Sequence, residues 1–331
     1  IRDLLAHRSG LSLGAGDLLY WPTTTYSSRE VAERLKDVPL TGGFREQYAY
    51  DNILFGVASL VVESASGMSY KQFLQTRIWQ PLGMTETRFN SDDLKPGDNV
   101  AVGNAQFDFK ALRPVGVTTW RNVSGAGGIY SSVHDLTKWM NAQLYGGVYA
   151  GSGETAKRLF SEQRQREMWT VLTPIPVRPA AIPELVAATP NFSGYGQGWQ
   201  LSDYSGNRLV WHTGGWPGQV SRLTLVPDKK MGVIVLTSAE VGVAFNAITY
   251  ESLDMMLGNG GHDWLKGYGI AFEKSQGNAD ADWQKHVAAR DADSKPSLPL
   301  AKYAGTYRDP WYGDVVIRQG KNGLEMQFSK T

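Results

Sequence analysis

Apolar residues recur at helical spacing through the first half of the chain. Ile53, Leu54, Val57, Ala58, Val61, Val62 and Ala65 predict one helix over 53–66, with Gly67 as its stop. Ser27 and Glu30 form a capping-box pattern ahead of Val31–Leu35. Ser69 with Gln72 opens a further helix that Pro81 and Gly83 end. Ser132 with Asp135 opens another, carrying Leu136, Trp139, Met140 and Leu144, and Gly146-Gly147 closes it. Five prolines in 173–190 predict a long surface loop between subdomains. From about Gly194 the period changes to that of strands. Arg208–His212 is one run, Val220–Val226 alternates, and Gly232–Thr237 reads as a buried strand after the Pro227–Lys230 turn. Residues 243–257 return to helix. Residues 273–297 are polar and Ala/Asp-rich, which predicts a linker with one short helix at Trp283–Ala289. Residues 298–331 turn β-like again, with Tyr303, Tyr307, Trp311, Tyr312 and Val315-Val316-Ile317. The expected class is α+β.

Composition sharpens this only slightly. The chain has 331 residues, 42% of them hydrophobic and 20% charged, which is enough apolar material for packed cores. Lys and Arg number 33 against 32 Asp and Glu, so bulk charge gives no reason to expect a nucleic-acid partner. With no cysteine, disulfides, thiol catalysis and thiolate metal sites are excluded. No run of 18 apolar residues predicts a membrane helix. The chain opens on Ile1 in what reads as mid-domain sequence, so a piece of a longer protein is expected.

Candidate chemistry starts with the five histidines, none in HExxH or paired ligand spacing. His7 and His134 read as structural hydrogen bonders in cap or turn settings. Ser124-Gly125-Ala126-Gly127-Gly128 suits a tight turn but lacks phosphate-loop spacing. His212 stands apart. It ends a strand run and precedes Thr213-Gly214-Gly215-Trp216-Pro217-Gly218. Adjacent glycines after a strand leave backbone N–H groups able to approach a ligand, as an oxyanion site requires; a plain turn would use the same residues. Tyr50-Asp51-Asn52 is the second candidate, open equally to a core phenol and a helix cap.

Taken together these stretches resemble the serine β-lactamase and penicillin-binding-protein superfamily, in particular its class C-like esterases and D-amino-acid peptidases. Ile1–Leu11 is similar to that family's LLTHTSGL block, and Tyr50-Asp51-Asn52 to its Tyr-x-Asn motif. Pro81–Thr85, Gly125–Trp139 and Tyr195-Gly196-Gln197-Gly198-Trp199 follow in order, and His212-Thr213-Gly214 stands at the Lys-Thr-Gly position. The matches run over residues 1–257.

The resemblance implies a β-lactamase-like fold: a helical subdomain, then an antiparallel sheet flanked by helices, over residues 1–265. A linker at 266–297 would lead to the start of a lipocalin-like β-barrel domain at 298–331. Family members use a Ser-x-x-Lys nucleophile. The chain contains none, and the resemblance places it before Ile1, so these residues alone are expected to be inactive. Implied catalytic residues are Tyr50 as proton shuttle, Asn52 as partner of the lysine or of the substrate amide, His212, and Gly215 as half of the oxyanion hole. Thr213 and Gly214 would bind substrate. His212 replaces a permanent cation with a group mostly neutral at pH 7, which favours ester or small-amide substrates, D-residue peptides included, over β-lactams. No cofactor or metal is implied. Export to the periplasm or medium is expected from the superfamily's habits. The alternatives are a non-catalytic binding or regulatory module of the same fold and a wall-associated structural protein.

Overall fold

The computed structural model describes residues 1–20, 24–106 and 111–328. Helices come first: α1 (Arg2–Leu5), α2 (Ser28–Arg34), α3 (Asn52–Ser66), α4 (Tyr70–Leu74) and α5 (Gln80–Leu82), with a π-helical stretch at Gln75–Trp79 joining the last two. The capping signals act as the sequence suggests. Ser27 and Glu30 close a reciprocal box, Ser69 accepts from the Gln72 N–H, and Gly67 ends α3 in the left-handed region at φ 69°. Two short antiparallel ribbons interrupt the helical part, β1 (Asn104–Gln106) with β2 (Leu112–Pro114) and β3 (Val148–Ala150) with β4 (Lys157–Arg158). Between and after them lie α6 (Val133–Leu144) and α7 (Glu162–Met168).

One antiparallel sheet organises the rest. Its strands are β5 (Thr173–Pro174), β6 (Ser193–Tyr195), β7 (Gln200–Tyr204), β8 (Asn207–Trp216), β9 (Gln219–Val226) and β10 (Met231–Thr237), laid side by side in chain order. Alternation along the strands sends Leu209 and Val226 to one face and Val210 and Leu225 to the other. The first pair packs with Leu253 of α8 (Gly242–Leu257) and Trp264 of α9 (Trp264–Ala288). The second packs with Leu144, Trp169 and Trp199. The sheet is therefore filled on both faces.

Three expectations change. Residues 173–190 are not purely a loop: Thr173–Pro174 pairs with β6, and Ile182 and Leu185 are buried in the sheet's α8 face. Most of the expected linker at 266–297 is helix α9, capped by the Asp263 side chain on the Lys266 N–H. Its second half has no apolar stripe to signal it, but its Ala, Gln and Lys residues favour helix. The strand carrying His212 does not stop there; it runs on through both glycines to Trp216, and the turn is Pro217-Gly218.

After α9 comes a three-stranded meander, β11 (Gly305–Asp309), β12 (Gly313–Gly320) and β13 (Gly323–Phe328). The turn between its first two strands docks on the helical part. Tyr312 is buried among Leu19, Tyr20, Tyr26, Val31, Ile53, Leu54 and Val123. Arg34 donates to the Trp311 carbonyl at 3.1 Å, and the Tyr26 hydroxyl to the Tyr312 carbonyl at 3.3 Å. Ile53 and Leu54 open helix α3, so the meander completes the core beneath the Tyr50–Asn52 segment. Tyr312→Ala should cost about 3 kcal/mol in urea unfolding of the helical part it docks on. An unchanged transition would mean that the meander is an independent appendage.

Candidate active site

Strand β8 is longer than its neighbour. Strand β7 pairs with it only from Tyr204↔Asn207 to Gln200↔Trp211, whereas β9 follows it to Trp216↔Gln219. Both hairpins close with two-residue loops, Ser205-Gly206 and Pro217-Gly218. The flanking pairs Tyr204↔Asn207 and Trp216↔Gln219 are then hydrogen-bonded ones, and antiparallel alternation fixes the remainder. The N–H and C=O groups of Thr213 and Gly215 point away from β9, to the side where β7 has already ended. Gly214 and Gly215 are exposed, and a Cβ at Gly215 would meet nothing within 4 Å. Among the described residues this stretch is an open sheet edge beside free space.

His212 sits at the start of that edge with both ring nitrogens engaged. Its Nδ1 lies 2.6 Å from the Thr213 carbonyl, which can only accept, so Nδ1 carries the proton. Its Nε2 lies 2.9 Å from the Tyr195 hydroxyl. Tyr195 is fully buried, and burial pushes its phenol well above the usual range, so the hydroxyl keeps its proton and donates to Nε2. Burial also lowers the His212 pKa, with the Thr213 hydrogen bond opposing it. The ring is a neutral, fixed tautomer and not a cation.

Tyr50 reaches the same place from the helical part. Its ring centroid is 6.1 Å from that of His212, across 162 positions of sequence. Burial first, and the Asp17 charge second, raise its pKa. Asn52 is the first residue of α3, and its Nδ2 donates to both Asp17 carboxylate oxygens at 3.3 and 3.2 Å. The cap position belongs to Asp51, whose side chain makes no capping bond to the helix. The structure thus brings Tyr50 and His212 together, places Thr213, Gly214 and Gly215 along the open edge, and turns the Asn52 amide nitrogen toward Asp17.

Several residues here were passed over in the sequence. His7 is fully buried with φ 49°; its Nδ1 accepts from the Asp51 N–H at 3.0 Å, and its ring lies 4.2 Å from Tyr50. Burial, reinforced by His212, drops its pKa to about 3. Asp51 is also fully buried, accepts from the Ala15 N–H through Oδ1, and among the described residues has no partner for Oδ2. Burial lifts its carboxyl to about 7. A cap-like histidine and an acid beside a tyrosine carry no spacing signal of their own; only the fold stacks them. Arg222 lies opposite Thr213 on β9, 4% exposed, donating to Thr224 and Asn246 and lying 4.3 Å over the Trp211 ring. An arginine within the alternating run Val220–Val226 was its visible signal. Gly125 is obligatory for packing, since a Cβ there would stand 2.2 Å from the Phe55 carbonyl oxygen of α3.

Glu86, His134 and Asp135 bring one potential ligand atom each within 4.8 Å of one another. Asp135 already accepts from Lys138, Thr87 and the Glu86 N–H, so its carboxylate is engaged in tying the first turn of α6, capped by Ser132, to residues 86–87. Among the described residues no single helix is long and apolar enough to cross a membrane.

Residues 1–253 match the Beta-lactamase family model, and residues 289–331 match a family described as a domain of unknown function (DUF3471). Unguisins hydrolase ungD' of Aspergillus campestris is 27% identical over 96% of this chain and 58% of its own length. Penicillin-binding protein 4* of Bacillus subtilis is 26% identical over 78% of this chain and 55% of its own. The chain therefore spans between half and three-fifths of the length of these curated relatives. Among solved structures, the octameric penicillin-binding protein homologue from Pyrococcus abyssi superposes with a TM-score of 0.64 at 20% identity, covering 98% of this chain and 67% of that one. D-amino acid amidase from Ochrobactrum anthropi SV3 superposes with 0.55 at 22% identity, covering 77% and 76%.

The raised Asp51 carboxyl has a stability consequence. The folded chain holds that proton to about pH 7, whereas an unfolded aspartate releases it near 3.8. Between those values the folded state binds more protons, so this group's contribution to stability falls as pH rises. Asp51→Asn removes the fall. In urea unfolding the variant should gain on the parent by at least about 1 kcal/mol between pH 4 and pH 7.5. A stability difference independent of pH would show that Asp51 titrates normally.

Proposed function

The chain belongs to the beta-lactamase family, within the superfamily of penicillin-binding-protein-like serine hydrolases, and from that membership we propose that it forms most of the active site of an acyl-transfer hydrolase. The substrate class is an ester or a small amide, D-amino-acid peptides included. The attacking serine and its lysine, in a Ser-x-x-Lys motif, come from sequence outside these 331 residues. The observation that carries the reading is the meeting of Tyr50 and His212 at the open end of β8.

Each residue then has a task. The serine hydroxyl adds to the substrate carbonyl carbon, and negative charge develops on the carbonyl oxygen. The Gly215 N–H, on the side of β8 that β7 does not reach, is one donor for that oxygen; removing such a donor typically costs about 3 kcal/mol of transition-state stabilisation. Tyr50 takes the serine proton and passes it to the leaving group. Burial alone opposes this by raising the phenol, so Tyr50 needs a cation beside it to work as a base near neutral pH, which the motif's lysine supplies. Water then enters and the same groups reverse their roles to release the acid. His212 contributes a neutral wall. It has no N–H directed at the cleft and no charge for a β-lactam carboxylate, which supports esters and amides ahead of penicillins. The name of one relative, an unguisins hydrolase, supports hydrolysis, and a D-amino acid amidase shares the fold.

The test uses the full-length protein and a fluorophosphonate probe read by intact mass. One adduct should form on a serine outside residues 1–331. Tyr50→Phe should slow labelling by about 100-fold. A p-nitrophenyl ester should be turned over faster than nitrocefin. A folded full-length protein that never labels would sink the hydrolase reading in favour of a binding module. Nitrocefin turnover exceeding ester turnover would sink the substrate assignment.

A further inference from the structure

The amide of Asn52 has two ends of similar shape and opposite chemistry: Oδ1 only accepts, and Nδ2 only donates. What lies beside each end decides which one faces the cleft. Asp17 decides it here. Its carboxylate receives Nδ2 at 3.3 and 3.2 Å, one distance to each oxygen. Burial raises the Asp17 pKa, and the Asn52 hydrogen bond opposes that rise by favouring the ionised form, which cannot donate, so the flipped amide would set two acceptors against each other.

The backbone around Asp17 holds it for that role. Gly16 enters the short helical turn Asp17–Leu19 at φ 85°, and a Cβ on Gly16 would stand 2.6 Å from the Ile53 side chain. The loop is thus pressed directly against the first turn of α3, one residue from Asn52. The Gly14 N–H donates to the Tyr50 carbonyl at 2.8 Å, and the Asp51 Oδ1 takes the Ala15 N–H at 3.0 Å. Three consecutive residues of the Tyr50-Asp51-Asn52 segment are therefore each tied to the 14–17 loop.

We propose that Asp17 is a positioning residue that fixes the orientation of the Asn52 side-chain amide, so that Asn52 presents its Oδ1 to the cleft and acts there as a hydrogen-bond acceptor. The group it takes is an N–H donor: the ammonium of the Ser-x-x-Lys lysine or an amide N–H of the substrate. This rests on the hydrolase reading for its catalytic meaning, though not for the orientation itself. In Asp17→Asn the partner becomes a second amide of the same shape, which can pair with Asn52 either way round, and the orientation is lost with little change in volume.

Two measurements on the full-length protein separate the parts. The first is the side-chain amide resonance of Asn52 in protein labelled with [15N]asparagine, assigned by its loss in Asn52→Asp. It should be a single signal in the parent, and shifted or doubled in Asp17→Asn. The second is the fluorophosphonate labelling rate in a double-mutant cycle, with the thermal midpoint of each variant recorded as a folding check. Asp17→Asn should slow labelling by roughly 10-fold or more, and should have no further effect once Asn52 is alanine. An Asn52 signal indifferent to Asp17→Asn would overturn the orientation claim. Penalties that multiply in the double variant would overturn the claim that Asp17 acts through Asn52. If the parent never labels, the hydrolase reading fails by itself, and the resonance still decides whether Asp17 sets the amide.

Discussion

A sheet must satisfy its backbone hydrogen bonds, and β8 outruns the strand that would satisfy them on one side. From His212 to Trp216 it is held by β9 alone. The Thr213 N–H and the Gly215 N–H and C=O are left without a strand partner on the side away from β9, while the Thr213 carbonyl takes the His212 Nδ1 proton. Buried edges of this kind are costly and exposed ones invite another chain, so a fold keeps one where something binds. The two glycines keep the space beside it clear: Gly214 and Gly215 are exposed, and no heavy atom would meet a Cβ on Gly215. Tyr50 and His212 meet at the start of this edge, and Thr213, Gly214 and Gly215 form it.

The second constraint is burial of aromatic and imidazole groups that would otherwise titrate. His7, Tyr48, Tyr50, Tyr195 and His212 stack within about one ring of each other, His7 to Tyr195 at 4.8 Å and Tyr48 to Tyr195 at 5.4 Å. Desolvation pushes the phenols up and the imidazoles down, so the whole cluster is neutral near pH 7. A neutral cluster responds sharply to a single charge brought into it, because low dielectric magnifies that charge. That is the setting in which one lysine ammonium can lower a tyrosine's pKa enough to make it a base.

Much of this was legible. The capping residues Ser27, Ser69 and Ser132 set helix starts by local chemistry, and local chemistry is what a sequence displays. The ordered blocks from Ile1 to His212 pointed to the family and, through it, to the sheet and helices. Less visible was anything that depends on the partner of a side chain. His7 looked like a cap residue until its ring was found against Tyr50, and Asp17 carried no motif at all. The strand's passage through Gly214-Gly215 was hidden because paired glycines ordinarily mark a turn, whereas here a neighbouring strand, β9, supplies the order. Helix α9 was hidden for a different reason. Half of it buries nothing, so hydrophobic period could not report it.

The most direct test of the account is a crystal structure of the full-length protein carrying the phosphonyl adduct. The account predicts the phosphorus on a serine facing Tyr50. One phosphonyl oxygen should lie about 2.7–3.1 Å from the Gly215 nitrogen, on the open side of β8. An adduct whose oxygens are held elsewhere, with Gly215 unengaged, would contradict it.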